Sequence, residues 1–342
     1  MKIGTAFRMG FSALNANVFG RSKPVNVMLG VTNRCNQRCR YCQIPDRHQP
    51  EMSTEQILGL LDEMKAAGTE RLGLWGGEPL LHPDIERIVT RSKELGFWIS
   101  MDTNGVLVPK KLDVIRKLDH LMVSIDGPEE VNDLNRQPGA FKHAMTALQA
   151  AHGLTSLWTL SVLTRHNLNS IDYLFDLARR FDGMAAFQFL HHNQAMAGNT
   201  DDMRASDEEY RNAVRYLIHA KRRGEPVASS FRYLRYLLNW PDYSMVKQNR
   251  SRGQMNCWAG RLYCNVDADG SVLPCSLLID ERPALNAVET GFRTAFDFAG
   301  KHVDCKSCDA ACFTEYNFLY DLDPGVIWDW LNAMRRTKDP HE

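Results

Sequence analysis

From residue 25 to about 223, short apolar and β-branched runs alternate with longer stretches whose apolar positions recur every third or fourth residue. The short runs read as strands and the 3.6-residue pattern as helices with one buried face. Strands are predicted over 25–31, 71–75, 97–102, 121–125, 157–163 and 185–190. The first helix between them is well marked. Ser53 stands as N-cap with Gln56 at the capping-box position, Ile57, Leu60, Leu61 and Met64 form the apolar face, and Gly68 lies just past the end. Further helices are predicted over 83–95, 109–118, 139–151, 169–181 and 206–223. Six consecutive βα units give an α/β fold, a parallel sheet curled into a partial (β/α)6 TIM-like barrel whose functional groups gather at the C-terminal ends of the strands.

The flanks break this rhythm. In residues 1–24, Ile3, Phe7, Phe11, Leu14 and Val18 draw one apolar stripe on a helix, and the only charged side chains are Lys2, Arg8, Arg21 and Lys23. Such a helix either packs as a lid on the bottom of the barrel or lies on an anionic membrane surface. Residues 224–256 change character through a helix-like stretch at 231–238, Pro241 and a polar run ending at Gln254, which places a domain junction there. Residues 257–342 form a second, smaller unit with a hairpin of 261–266 and 271–274 and a C-terminal helix.

At 342 residues the chain has room for one barrel and one small module. Lys+Arg and Asp+Glu both number 41, so no net basic field draws the protein to nucleic acid. No apolar stretch is long enough to span a bilayer and no signal-peptide pattern opens the chain, which predicts a cytoplasmic protein. The nine cysteines cluster at 35–42, 257–275 and 305–312, which reads as metal ligation in a reducing compartment rather than a disulfide framework.

Cys35, Cys39 and Cys42, spaced C-x3-C-x2-C, follow the first strand directly, with Tyr41 before the last. Three thiolates on one loop suit a cubane iron-sulfur cluster whose fourth iron stays open to a ligand. A zinc site with His48 as fourth ligand is the competing reading, although zinc more often uses paired C-x2-C units. The second strand runs into Gly76, Gly77, Glu78 and Pro79, where glycines permit close backbone approach and a carboxylate can hold an ammonium group. The third and fourth strands end in Asp102 to Gly105 and Ser124 to Gly127, small polar residues that also suit turns.

The cysteine triplet followed one βα unit later by Gly-Gly-Glu-Pro resembles the radical S-adenosylmethionine (SAM) enzymes. That resemblance implies a 4Fe-4S cluster on Cys35, Cys39 and Cys42, and SAM's amino group at Gly76, Gly77, Glu78 and Pro79. It also implies Thr103, Asn104, Ser124 and Asp126 towards the ribose and carboxylate, with Arg136 and Tyr41 nearby. Phe189 and Leu190 are expected to offer an apolar adenine contact, with His191, His192 and Asn193 as a polar substrate rim. The implied reaction is reductive cleavage of SAM to a 5′-deoxyadenosyl radical that abstracts hydrogen from an organic substrate, fed by a flavodoxin or ferredoxin-type electron donor.

Towards the C-terminus, Cys257, Cys264 and Cys275 border the hairpin, and Cys305, Cys308 and Cys312 follow. Two hairpin-borne thiolates and a C-x2-C pair can close a four-cysteine site, and a zinc ribbon has comparable spacing. The segment resembles a shortened SPASM or twitch extension. That implies at least one auxiliary 4Fe-4S cluster, on Cys257, Cys275, Cys305 and Cys308, with Cys264 and Cys312 as substitutes or members of a second, incomplete cluster. Ser276 stands where the sulfatase-maturating branch commonly has an aspartate base, leaving Glu315 and Tyr316 as alternative proton-handling residues. The expected substrate is a small molecule. A peptide maturase would usually carry a leader-binding domain before the barrel, and a lipid-directed enzyme would explain the basic N-terminal helix. A non-catalytic electron carrier would have no use for an amino-acid chelation site.

Overall fold

The computed structural model of the chain describes residues 3–190, 200–249 and 255–337. Six parallel strands follow one another across the sheet: β1 (Asn26–Thr32), β2 (Arg71–Gly76), β3 (Trp98–Thr103), β4 (His120–Ser124), β5 (Ser156–Leu163) and β6 (Ala185–Phe189). These are the six runs expected from the apolar pattern. Helices between them cover the outer face, and the outward side chains Val27, Leu29, Leu72, Leu74, Ile99, Met101, Leu121 and Val123 are essentially inaccessible to solvent. The helix Thr54–Ala67 shows why its boundaries were legible. Ser53 Oγ accepts from Gln56 N at 3.3 Å, Gln56 Oε1 accepts from Ser53 N at 2.8 Å, and Gly68 closes the helix at φ 95°. The stretch 109–118 is not one helix: Pro109 sits in the 3-10 turn Val108–Lys110, and one helical turn, Leu112–Ile115, follows.

The hairpin near the C-terminus does not build a sheet of its own. After β7 (Lys247–Gln248), β8 (Tyr263–Val266) pairs in parallel with β1, β9 (Ser271–Leu273) turns back antiparallel, and β10 (Leu285–Asn286) adds to β9. The sheet therefore has nine strands, in the order β10-β9-β8-β1-β2-β3-β4-β5-β6. A short ribbon of β7 with β11 (Ser307–Cys308) lies apart from it. The two halves are joined by a buried bidentate ion pair, in which Arg47 NH1 and NH2 reach the Asp267 carboxylate at 3.0 and 2.7 Å, and by Met52 N donating to Ala268 O. The expected junction is packed as well: the helix Phe231–Leu238 begins where Ser230 N meets Glu315 Oε1 at 2.6 Å and Phe231 N meets Asp329 Oδ2 at 2.7 Å.

The helix Ile3–Phe19 crosses the N-terminal ends of the strands, where Arg8 pairs with Glu70 at 2.8 Å and Asn17 Nδ2 donates to Tyr320 O at 2.7 Å. Its packed face is formed by Thr5, Met9, Ser12, Ala13 and Ala16. The expected lid contact through the bulky stripe is not made: Phe7, Phe11, Leu14 and Val18 all face outward. Small side chains allow the closer backbone approach, and that decides which face is buried. The side chain of Ile3 lies outside the described residues.

Candidate functional site

The cysteine loop leaves β1 under tight backbone control. Glu51 Oε1 accepts from Thr32 Oγ1 and Asn33 N, each at 2.7 Å, and Gly77 N and Glu78 N donate back to Thr32 O and Arg34 O at 2.8 and 2.9 Å. This closeness explains the paired glycines. A Cβ on Gly76, at φ +131°, would stand 2.3 Å from Thr32 O, and one on Gly77 would stand 2.3 Å from Arg34 O. The glycines thus let β2 lie against the cysteine loop itself.

Cys35, Cys39, Cys42, Tyr41, Gly76, Gly77, Thr103, Asn104, Ser124 and Arg136 line one cavity of about 190 Å³, together with Trp75, Asp102, Leu160 and Val162. Ten of the expected residues are therefore brought together at the C-terminal ends of the strands. Burial pushes the Cys39 thiol up to about 12, against the pull of Arg136, and burial likewise raises Cys35 and Cys42. Nitrogen donors stand by the sulfurs, with Asn104 Nδ2 3.5 Å from Cys35 Sγ and an Arg136 nitrogen 4.0 Å from Cys39 Sγ. Desolvated thiols with cationic and amide donors nearby fit a cluster held by thiolates, because a coordinated metal offsets the cost of deprotonating them. Among the described residues, no three His, Cys, Asp or Glu side chains close on a single ion. His48 is exposed and forms no part of the cavity wall.

Two expected SAM contacts act one step further back. Glu78 is fully buried, and its carboxylate accepts from Thr103 Oγ1 at 2.9 and 3.0 Å, Asn104 N at 2.8 Å and Leu80 N at 3.1 Å. Burial lifts it to about 7, against these hydrogen bonds. It braces the end of β3 rather than facing the cavity, and Pro79 is buried beside it. Asp126 is likewise inaccessible. It accepts from Tyr41 OH at 2.7 Å, Val162 N at 2.8 Å and Arg136 NH2 at 3.0 Å, so it holds the cavity-lining Tyr41 and Arg136 in place.

Phe189, expected at the adenine, does not line the cavity. Side chains alternate along β6, and Phe189 points outward, its ring centroid 5.1 Å from Tyr210 and 5.5 Å from Tyr243. Leu190 is buried just beyond the strand and does not line the cavity. The apolar wall comes from Leu160 and Val162 of β5, which occupy its partly accessible alternate positions. His191, His192 and Asn193 lie outside the described residues. Sequence reading also passed over Asp102, which lines the cavity and is raised to about 6 by burial, with Arg71 pulling the other way.

The six remaining cysteines separate into three roles. Cys257, Cys275 and Cys308 lie near enough to the buried Tyr263 phenol to act on it, Cys305 stands beside Cys257, and Cys275 feels both Cys305 and Cys312. Cys264 does not join them: on β8, opposite Val27, it faces the helix-covered core, where burial alone raises its thiol. Cys312, in the first turn of the helix Ala311–Tyr320, is exposed. Glu315 and Tyr316 are structural in this arrangement. Glu315 caps Ser230 and receives Trp330 Nε1 at 3.4 Å, and the Tyr316 hydroxyl accepts from the buried Arg71.

Residues 29–178 match the Radical SAM superfamily. The fold is similar to that of SuiB from Streptococcus suis, at 15% identity over 84% of this chain and 68% of that one, with a TM-score of 0.66. SuiB bound to the precursor peptide SuiA matches at 13% identity over 86% and 73%, TM-score 0.63. Native anSMEcpe with bound AdoMet matches at 18% identity over 90% of this chain and 100% of that one, TM-score 0.64. Residues 29–178 are thus similar to radical SAM proteins, and they lie within an α/β fold that extends into a cysteine-rich C-terminal region.

Proposed function

We propose that this chain is a radical SAM enzyme acting on an organic substrate. A 4Fe-4S cluster on Cys35, Cys39 and Cys42 would supply reductive cleavage of SAM to methionine and a 5′-deoxyadenosyl radical, which removes a hydrogen atom from that substrate. The observation that carries this reading is the convergence of the three thiols with Gly76, Gly77, Thr103, Asn104 and Ser124 on one cavity. The protein's part is positioning and shielding. Gly76 and Gly77 bring backbone to the cavity wall, Glu78 fixes the β3 turn that presents Thr103 and Asn104, and Asp126 fixes Arg136 and Tyr41 over the cysteine loop. Asp102 is placed to take a proton from substrate, a role for which Ser276 lacks the chemistry.

An auxiliary 4Fe-4S cluster on Cys257, Cys275, Cys305 and Cys308 accompanies this reading, with a flavodoxin or ferredoxin-type protein as electron donor. A small-molecule substrate remains the primary expectation. A peptide substrate is the second reading, favoured by the likeness to SuiB solved with its precursor peptide. The test is 5′-deoxyadenosine formation from SAM and dithionite by anaerobically reconstituted protein, beside a Cys35→Ala/Cys39→Ala/Cys42→Ala control. Product from the parent alone is expected. No product from parent protein fully loaded with iron and sulfide, together with no SAM binding by titration, would overturn the proposal.

A further inference from the structure

The helix Ile3–Phe19 is apolar on two opposite sides. With about 3.6 residues per turn, Thr5, Met9, Ser12, Ala13 and Ala16 share one side and are buried, while Phe7, Phe11, Leu14 and Val18 share the other. Phe7 is 74%, Phe11 59%, Val18 60% and the adjoining Phe19 68% exposed. Single exposed apolar residues are ordinary, but half of the large exposed hydrophobics among the described residues fall within these 13 positions of one helix, which makes a contiguous patch.

The N-terminal segment itself brings only basic side chains to this end of the helix. The first acidic residue of the chain is Asp46. Arg8 is used internally, against Glu70. At the end of the helix stand Arg21, whose guanidinium lies 5.8 Å from the Phe19 ring centre, and Lys23. Arg261 and Arg293 approach from the C-terminal region to donate to Ala16 O and Ser22 O, and Arg293 is also paired with Asp297 at 2.9 Å. Across a twofold axis such a basic rim would face itself and repel, which disfavours a second copy as occupant. Bulky apolar side chains bordered by cations match acyl chains beneath anionic headgroups.

We propose that this outward face docks the protein peripherally on an anionic phospholipid surface. No helix among the described residues is long and apolar enough to cross a membrane, so the contact is one of lying on the surface. The helix sits at the N-terminal ends of the strands, where Arg8 meets Glu70, whereas the cysteine-lined cavity opens at their C-terminal ends. Docking therefore tethers the protein by the end away from the cavity, and binding should depend on neither SAM nor cluster.

The test is co-sedimentation of the full reconstituted chain with vesicles of phosphatidylcholine alone or mixed with phosphatidylglycerol. Wild type is expected to pellet with the anionic vesicles and to be released by high salt. Phe7→Ser/Phe11→Ser is expected to lower binding by about tenfold or more, and Arg21→Glu/Lys23→Glu comparably at low salt. Both variants should keep SAM cleavage in solution, since none of the altered side chains lines the cavity, and the phenylalanine variant should also keep the wild-type melting temperature, since Phe7 and Phe11 are mostly exposed whereas Lys23 lies against Gly68. Absence of wild-type binding to anionic vesicles, or full binding by the phenylalanine variant, overturns the proposal. Loss of a dimer in that variant on sedimentation velocity, without vesicle binding, would assign the face to self-association instead. These readouts remain valid if SAM cleavage is never observed.

Discussion

The two cysteine groups are built in opposite ways. Cys35, Cys39 and Cys42 sit within eight consecutive residues, and the loop carrying them is fixed by neighbours in the sheet: the end of β1, the paired glycines of β2 and the Glu51 carboxylate. Cys257, Cys275, Cys305 and Cys308 come from separate segments spread over about 50 residues and meet around Tyr263 only when β8, β9 and β11 are all in place. The first group closes a short loop and the second depends on long-range assembly, which costs more chain entropy. A local site can therefore tolerate disorder elsewhere, while a distributed one reports on the integrity of the C-terminal fold.

The largest effect should separate the two groups chemically. Cys35→Ala is expected to bring 5′-deoxyadenosine formation to background, because it removes one of the three thiols of the loop. Cys305→Ala is expected to keep SAM cleavage within about tenfold of wild type while losing one cluster's share of iron and sulfide. Cys264→Ala serves as the internal control, and its iron content should match the parent because that thiol lies in the helix-covered core. Equal loss of SAM cleavage in Cys35→Ala and Cys305→Ala would show that the groups form a single functional unit.

The connection between the regions can be broken without touching any cysteine. Arg47 follows the first loop and Asp267 turns the β8–β9 hairpin, and their side chains are 8% and 4% exposed. Removing one partner leaves the other charge buried, so Arg47→Ala should destabilise the fold by roughly 3–5 kcal/mol, measured by urea unfolding. Replacing both partners with apolar residues of similar volume should cost much less. If the single variant lost under about 1 kcal/mol, the pair would have to be solvated and the two regions only loosely joined.

The contrast also accounts for what could be read from the sequence. All six barrel strands and the cysteine loop are short-range features, in which apolar runs bounded by turns and a fixed thiol spacing are both visible in a single window. What escaped depended on which way a side chain points after folding. Phe189 and Leu160 both lie on apolar strands, but only the strand register tells that one faces helices and the other the cavity. Glu78 and Asp126 stand just behind the cavity wall. Their carboxylates, however, are satisfied by Thr103, Asn104, Tyr41 and Arg136, partners that no local spacing announces. On the N-terminal helix the periodicity was right, but of the two readings of its bulky stripe the lid contact is not made, because hydrophobicity ranks phenylalanine above alanine whereas close packing in the cluster that includes Tyr263 and Tyr320 favours Ala13 and Ala16.

The smallest of the expected effects concerns how the distributed site is held upright. The helix Ala311–Tyr320, which follows Cys308, is seated by Glu315 against Ser230 N at 2.6 Å and Trp330 Nε1 at 3.4 Å. Burial lifts the Glu315 carboxyl to about 7 from 4.5, partly opposed by its hydrogen bonds and by Lys221. A folded-state value above the unfolded one means that the folded chain keeps this proton longer, so the stability tied to it is complete below about pH 4.5 and is lost as pH rises towards 7. The full loss is roughly 3 kcal/mol. Glu315→Gln keeps an acceptor for Ser230 N and cannot ionise. Its stability relative to wild type should therefore grow from near zero around pH 4.5 to as much as roughly 3 kcal/mol at pH 8, read by urea unfolding across that range. All other titrating groups are common to both chains and cancel in the difference. A flat difference would mean that Glu315 ionises in the folded chain as easily as in the unfolded one, and the helix carrying the distributed cysteines would then have to be seated by its aromatic contacts alone.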